Sequence, residues 1–230
     1  MRPAGILVFC LFSSILSTVT SLKCLTCVAF GTKCEMYPMR SCYRNEKCCF
    51  TLVANTTIAS TPGYVMVKGC SECEDCLDGV FVTTTVDDRY QIVSGNCCQT
   101  DLCNAEPLHS DQFAELRQRG DSVREEIEVE NYDELQPNEL QCPGCFALDE
   151  DFCEANQTVI CVGNTEYCIE ITSVTDAFGY YNEKSTYQGC ATSNVCSLPL
   201  GNSTIAGGLI NFDITILECR NASSFEPVHL

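Results

Sequence analysis

Cys97-Cys98-Gln99-Thr100-Asp101-Leu102-Cys103-Asn104 packs three cysteines into seven residues, two of them adjacent, and closes on an asparagine. Thiols at this density belong either to a disulfide framework or to a metal site, and the compartment decides between them. The chain begins with Arg2, an apolar run over 6–16 broken only by Ser13 and Ser14, and small residues at Val19 and Ser21. That pattern predicts a signal peptide over 1–21, with an apolar run too short to span a bilayer comfortably. Its removal takes Cys10 with it and leaves twenty of the 21 cysteines, an even set in an oxidising compartment. Disulfides are therefore expected. Zinc is the competing reading of Cys24-x-x-Cys27 and Cys142-x-x-Cys145, and ranks below them. Exported thiols oxidise before meeting metal, and His109 and His229 both lie outside the cysteine clusters.

Working outward, the cysteines fall into two blocks, 24–103 and 142–219, and the blocks repeat. Block one runs Cys24, Cys27, Cys34, Cys42, Cys48, Cys70, Cys76; block two runs Cys142, Cys145, Cys153, Cys161, Cys168, Cys190, Cys196. Lys68-Gly69-Cys70 matches Gln188-Gly189-Cys190. A period of roughly 80 residues is domain-sized. The segments between cysteines read as strands of antiparallel hairpins: 50–53, 64–67, 80–86 and 90–93, with Asp87-Asp88 as a turn, then 167–174 and 209–217, where Ile210, Phe212, Ile214 and Ile216 alternate at period two. Neither block could bury a large core alone, so bridges of about 2–4 kcal/mol each would carry much of the stability. The stretch 106–140 has no cysteine and holds eleven acids against three arginines. It reads as a solvated acidic linker.

The Cys-Cys-x4-Cys-Asn ending, after an opening Cys-x2-Cys, resembles the three-finger (LU) domain of the Ly-6/urokinase-receptor superfamily. The resemblance spans nearly the whole chain outside signal and linker. It implies an all-β, small, disulfide-rich fold of two tandem three-finger domains, 22–105 and 141–230. The family pattern would pair Cys24–Cys48, Cys27–Cys34, Cys42–Cys70, Cys76–Cys97 and Cys98–Cys103. Cys49 and Cys73 are left to pair with each other. In block two it implies Cys142–Cys168, Cys145–Cys153, Cys161–Cys190 and Cys196–Cys219. Block two departs from the pattern, lacking the Cys-Cys doublet and the closing Cys-Asn. Its last loop is not stapled, and a loose C-terminal end is expected.

Two-domain secreted chains with a shortened second domain resemble the gamma-type phospholipase A2 inhibitors and proteins with an inhibitor-plus-Ly-6 domain pair. Cys142-Pro143-x-Cys145, Gly189-Cys190-Ala191-Thr192 and Cys76-x-x-Gly79-Val80 with the threonines at 83–85 are similar to that group. The resemblance implies a secreted, non-enzymatic protein that occludes a secreted phospholipase A2. The alternative is an extracellular signalling or adhesion ligand, acting on a receptor or integrin through finger tips or Arg119-Gly120-Asp121. Without Arg2, 12 basic and 31 acidic side chains leave a net charge of −19. Nucleic acid and anionic membrane are poor partners for such a chain. A basic partner, such as the basic interfacial face expected of many secreted phospholipases, is favoured.

Nothing in the pattern asks for a cofactor or metal. No histidine falls inside a block, which removes Ser-His and Cys-His chemistry. The carboxylates Glu72, Glu74, Asp75 and Asp78 read as a solvated edge rather than a hydrolytic pair or a calcium site. No hydrophobic tail follows Asn221, so no membrane anchor is expected. Sequons at Asn55, Asn156, Asn202 and Asn221 are candidate glycan sites. Aromatic anchors could come from Tyr64, Phe81 and Tyr90 or from Phe178, Tyr180, Tyr181 and Tyr187; the 178–181 stretch, at a finger tip, is favoured. An equally weighted alternative is that these rings cover the thin sheets. Tyr132, among Glu128, Glu130, Asp133 and Glu134, sits in a context suited to sulfation.

Overall fold

The computed structural model describes residues 21–31, 34, 38–60, 63–105, 135–179 and 181–224. The signal peptide apart from Ser21, Arg119-Gly120-Asp121, Tyr132, Tyr180 and both histidines lie outside the described residues. The described residues form strands joined by turns, and no helix among them is long and apolar enough to cross a membrane.

The first domain contains β1 (Lys23–Leu25), β2 (Cys27–Phe30), β3 (Met39–Ser41), β4 (Cys48–Thr56), β5 (Gly63–Ser71), β6 (Gly79–Thr84) and β7 (Tyr90–Cys98). The second contains β8 (Pro137–Leu148), β9 (Gln157–Val162), β10 (Tyr167–Ala177), β11 (Tyr181–Ala191), β12 (Gly201–Ile205), β13 (Ile210–Asn221) and β14 (Ser223–Ser224). β8 opens at Pro137, so the last four residues of the span 106–140 are strand rather than linker.

The local chemistry explains the hairpins. Asp87 and Asp88 both hold positive φ (57° and 54°), the paired left-handed geometry that suits the right-handed twist of β6 and β7. In β13 the expected alternation holds over Ile210, Phe212 and Ile214. A bulge then leaves Thr215 unpaired between Ser173↔Ile214 and Thr172↔Ile216. The extra residue flips the strand by one position, so Leu217, not Ile216, packs against the core around Ile169, Ile171 and Ile214.

The bridges correct one expectation. Cys24 is bonded to Cys49 and Cys48 to Cys73, not Cys24 to Cys48 and Cys49 to Cys73. The pleat decides this. Cys48 and Cys49 are neighbours on β4 and point to opposite faces. Cys49 is the register partner of Cys70, so both share the face that buries Cys24 and Cys42. Domain 2 builds the same cross, with Cys168 opposite Cys190 and bridges Cys142–Cys168 and Cys161–Cys190. Counting residues misleads because the two hairpins differ in total length. Cys49↔Cys70 spans 21 positions, a six-residue loop on shorter strand arms, whereas Cys168↔Cys190 spans 22, a three-residue loop on longer ones. The spacing from Cys168 to Cys190 therefore lands one residue off when laid on Cys70. The remaining bridges are Cys27–Cys34, Cys42–Cys70, Cys76–Cys97, Cys98–Cys103, Cys145–Cys153 and Cys196–Cys219.

The loose C-terminal end of domain 2 is also corrected as far as Ser224. β14 pairs with β8, Ser223 opposite Gln141 and Ser224 opposite Leu140. A strand ladder does there what Cys98–Cys103 does in domain 1.

The two domains do not hang separately. β11 pairs with β6, Cys190 opposite Thr84 and Ala191 opposite Thr83, which joins both into one sheet. The main path runs β12-β13-β10-β11-β6-β7-β4-β5-β2. Hydrogen bonds extend the seam: Val82 N–H to Thr192 Oγ1 at 3.1 Å, Thr192 N–H to the Val82 carbonyl at 3.0 Å, and Asn194 Nδ2 to the Val80 carbonyl at 2.7 Å. The Thr85 hydroxyl donates toward the carbonyls of Cys145 (2.9 Å) and Gln188 (2.6 Å). The Arg89 guanidinium lies 4.3 Å from the Phe146 ring centroid. Gly189 permits the approach, because a Cβ there would fall 1.8 Å from the Thr84 carbonyl oxygen.

Candidate functional site

The joined sheet curls until its far ends meet. The turn Ala206–Gly208 between β12 and β13 lies against β5, and Ala206 is buried with Phe50, Leu52 and Val67. A Cβ on Gly207 would sit 2.5 Å from the Cys70 carbonyl oxygen. Nearer the finger tips, Ile58 of domain 1 is buried among Ile169, Ile171 and Tyr187 of domain 2, and the Ser60 N–H donates to the Glu183 carboxylate at 3.1 Å.

Between the two seams lies an open cavity of about 570 Å³. Its walls follow the strand period of two. Leu52, Ala54 and Thr56 face it from β4, Gln91 and Val93 from β7, Phe81 and Thr83 from β6. Domain 2 answers with Tyr181, Glu183, Ser185 and Tyr187 from β11, Ile171, Ser173 and Thr175 from β10, and Ile210, Phe212 and Ile214 from β13. The lining is mainly aliphatic and aromatic. Its polar atoms are chiefly hydroxyls, and it includes no lysine, arginine or histidine among the described residues.

Two polar devices lie on this surface. The Tyr181 hydroxyl donates to Glu183 Oε1 at 2.6 Å. Partial burial, and then the Glu183 carboxylate, push the Tyr181 phenol up to about 12. Deeper in, Tyr187 is 4% exposed, its hydroxyl is 3.4 Å from Thr83 Oγ1 across the domain seam, and burial raises its pKa.

The rim holds a strained aromatic. Phe178 has a φ of 59°, a left-handed conformation rare for a bulky residue. Its N–H is fixed by the Leu209 carbonyl at 2.7 Å, and its ring meets Phe30 edge-to-face at 5.9 Å between centroids. Such strain persists only where surroundings over-determine it, as at binding sites.

Of the two placements weighed for the candidate aromatics, cover over the sheets is the one observed. Tyr64, Phe81, Phe178, Tyr181 and Tyr187 line the cavity and are half-buried or buried, rather than projecting from exposed tips. Tyr90 is half-buried on β7 beside Thr57, whose hydroxyl accepts its N–H at 2.9 Å. Among the described residues the exposed rings are Phe30 (72%), Tyr43 and Phe152, none of which the sequence pattern singled out. Phe30 is the informative one, since it borders the cavity. Its only sequence signal is a lone aromatic beside Gly31 at the end of a short strand.

Of the sequons, Asn156, Asn202 and Asn221 lie on exposed chain. Asn55 does not. It is 2% exposed on β4 and its amide nitrogen is buried without a hydrogen-bond partner, so the folded domain has no room for a glycan there. Strand alternation turns Asn55 to the face shared with Val53, opposite the cavity-facing Ala54 and Thr56. The carboxylates Glu72, Glu74, Asp75 and Asp78 are all exposed. The close cysteine triads around Cys24 and Cys142 consist of bridged cysteines, so their sulfurs are committed to disulfides.

Known proteins align with this chain across most of its length. Phospholipase A2 inhibitor PIP of Malayopython reticulatus is 28% identical over 93% of this chain and 93% of its own length. Phospholipase A2 inhibitor NAI of Notechis ater is 25% identical over 84% of this chain and 86% of that protein. The phospholipase A2 inhibitor 25 kDa subunit of Naja kaouthia is 26% identical over 77% of this chain and 83% of that protein. Among solved structures, mouse TEX101 matches at 17% identity and a TM-score of 0.32, covering 88% of this chain and 99% of that one. The u-PAR/Ly-6 domain model matches residues 20–106 and again 138–224, one match for each disulfide-crossed domain, and the chain therefore belongs to the u-PAR/Ly-6 domain family.

Proposed function

We propose that this chain is an extracellular, non-enzymatic inhibitor of a phospholipase A2, working as one rigid two-domain body. The observation that carries the reading is the likeness to proteins named phospholipase A2 inhibitors across both domains, not one alone. The geometry supports it. The β6–β11 ladder and the Ala206–Gly208 contact fix the fingers of the two domains relative to each other, so little ordering remains to oppose association. Phe30 and Phe178 form an aromatic rim of the kind that anchors interfaces, and Tyr181 borders the same cavity. The acidic balance, −18 over the whole chain, would draw a basic enzyme face and keep that enzyme off its bilayer.

The test titrates the glycosylated protein into secreted phospholipases A2 hydrolysing anionic vesicles, with direct binding followed in parallel. Stoichiometric loss of hydrolysis is the expected result. Phe30→Ala should weaken binding by about 1–3 kcal/mol, and added salt should slow association. Absence of binding to every enzyme in the panel would overturn the proposal.

A further inference from the structure

We propose that the cavity between the domains binds a single-chain lipid with an uncharged or zwitterionic head group, and does so without any protein partner. The shape argues for a small-molecule site. A curled sheet with a path of nine strands walls the space from both domains. The volume of about 570 Å³ falls within the range of pockets that bury such ligands.

The walls argue for a hydrocarbon chain. Leu52, Val93, Ile171, Ile210 and Ile214 converge from four strands, and water filling this space would meet few polar partners. Each methylene taken into the cavity would leave water for aliphatic surroundings. The charges argue against an anionic head. Among the described residues no cation lines the cavity, and its one carboxylate, Glu183, is already held by the Ser60 N–H and the Tyr181 hydroxyl. A free carboxylate would meet like charge and no counter-ion. The hydroxyls of Ser173 and Thr175 remain as neutral groups on the lining for an ester or hydroxyl.

The test displaces the neutral dye Nile red from the full secreted protein with monooleoylglycerol, oleoyl lysophosphatidylcholine or oleate. The first two should displace it at one lipid per chain, and oleate should need about tenfold more, given the cost of bringing a charge to an uncompensated site. Ser173→Phe and Ala54→Phe, each filling the cavity from a different domain, should abolish displacement while circular dichroism and disulfide mapping show a native fold. The exposed-site control Phe152→Ser should leave it unchanged. No displacement by either neutral lipid, equal potency of oleate, or displacement unaffected by both filling variants would overturn the proposal. Phospholipase binding is read in the same samples. If Ser173→Phe abolished enzyme binding while no lipid bound the native chain, an enzyme segment would be the occupant and the lipid proposal would fall. Lipid binding without enzyme binding would sink the inhibitor reading alone.

Discussion

Domain 1 and domain 2 share the crossed-bridge core but finish their sheets by different means. In domain 1 the chain after β7 is stapled by Cys98–Cys103, and Asn104 is plugged into the sheet. Its side chain accepts the Leu25 N–H at 3.0 Å and donates to the carbonyls of Leu25 (2.9 Å) and Phe50 (3.1 Å), while its own carbonyl accepts from Lys68 Nζ at 2.8 Å. Burial lowers the Lys68 pKa, so this closure carries the cost of a desolvated ammonium. Domain 2 has Gln188 at the matching place and no staple. It uses the β14–β8 ladder and an asparagine from the opposite end of the domain, Asn138, whose amide donates to the carbonyls of Gly163 (2.9 Å) and Thr165 (3.2 Å). A covalent closure and a hydrogen-bonded one can therefore end the same fold. The covalent one closes domain 1 without a counterpart of the β14–β8 pairing.

The matched glycines sharpen the comparison. Gly69 and Gly189 occupy the same motif, yet a Cβ on Gly69 would meet only the Phe50 ring, at 3.0 Å, whereas on Gly189 it would strike the Thr84 backbone. The largest expected effect is thus Gly189→Ala, which should destabilise the protein by on the order of 4 kcal/mol. It should also weaken amide-exchange protection along β6 and β11. A mild effect there would mean that the domains do not depend on this seam. Asn104→Ala comes next, at about 3 kcal/mol, because it leaves buried groups of β1 and β4 unsatisfied; urea unfolding with disulfides intact reads it. Replacing Cys98 and Cys103 by serine should cost about 2 kcal/mol, as expected for a short loop, and leave the other bridges formed by peptide mapping. Gly69→Ala should cost about 1 kcal/mol, since a side chain can yield where a backbone cannot. Exchanging Ser223 and Ser224 for glycine should cost under about 0.5 kcal/mol, because both are exposed; thermal unfolding would show it. If that last change instead matched the loss of the Cys98–Cys103 bridge, the ladder and the staple would be energetic equals.

Much of this was legible in the residues. The Cys97-Cys98 to Asn104 ending, the repeat of cysteines and the β-branched segments determine two disulfide-rich antiparallel β domains, because cysteine density and strand periodicity are properties of local spacing. The candidate aromatics were also visible as residue types. Tertiary structure alone decided where they go. Whether Cys48 or Cys49 meets Cys24 depends on the face each presents, and that follows from the register of β4 on β5, which a loop one residue longer or shorter resets. Whether Tyr187 or Phe81 reaches solvent depends on the other domain lying over it. The bulge at Thr215, the β6–β11 seam and the cavity it helps enclose all arise from contacts between residues more than a hundred positions apart or from shifts of a single residue in pairing. Spacing along one chain carries no record of either, since the free energy that selects them is gained only when two sheets close on each other.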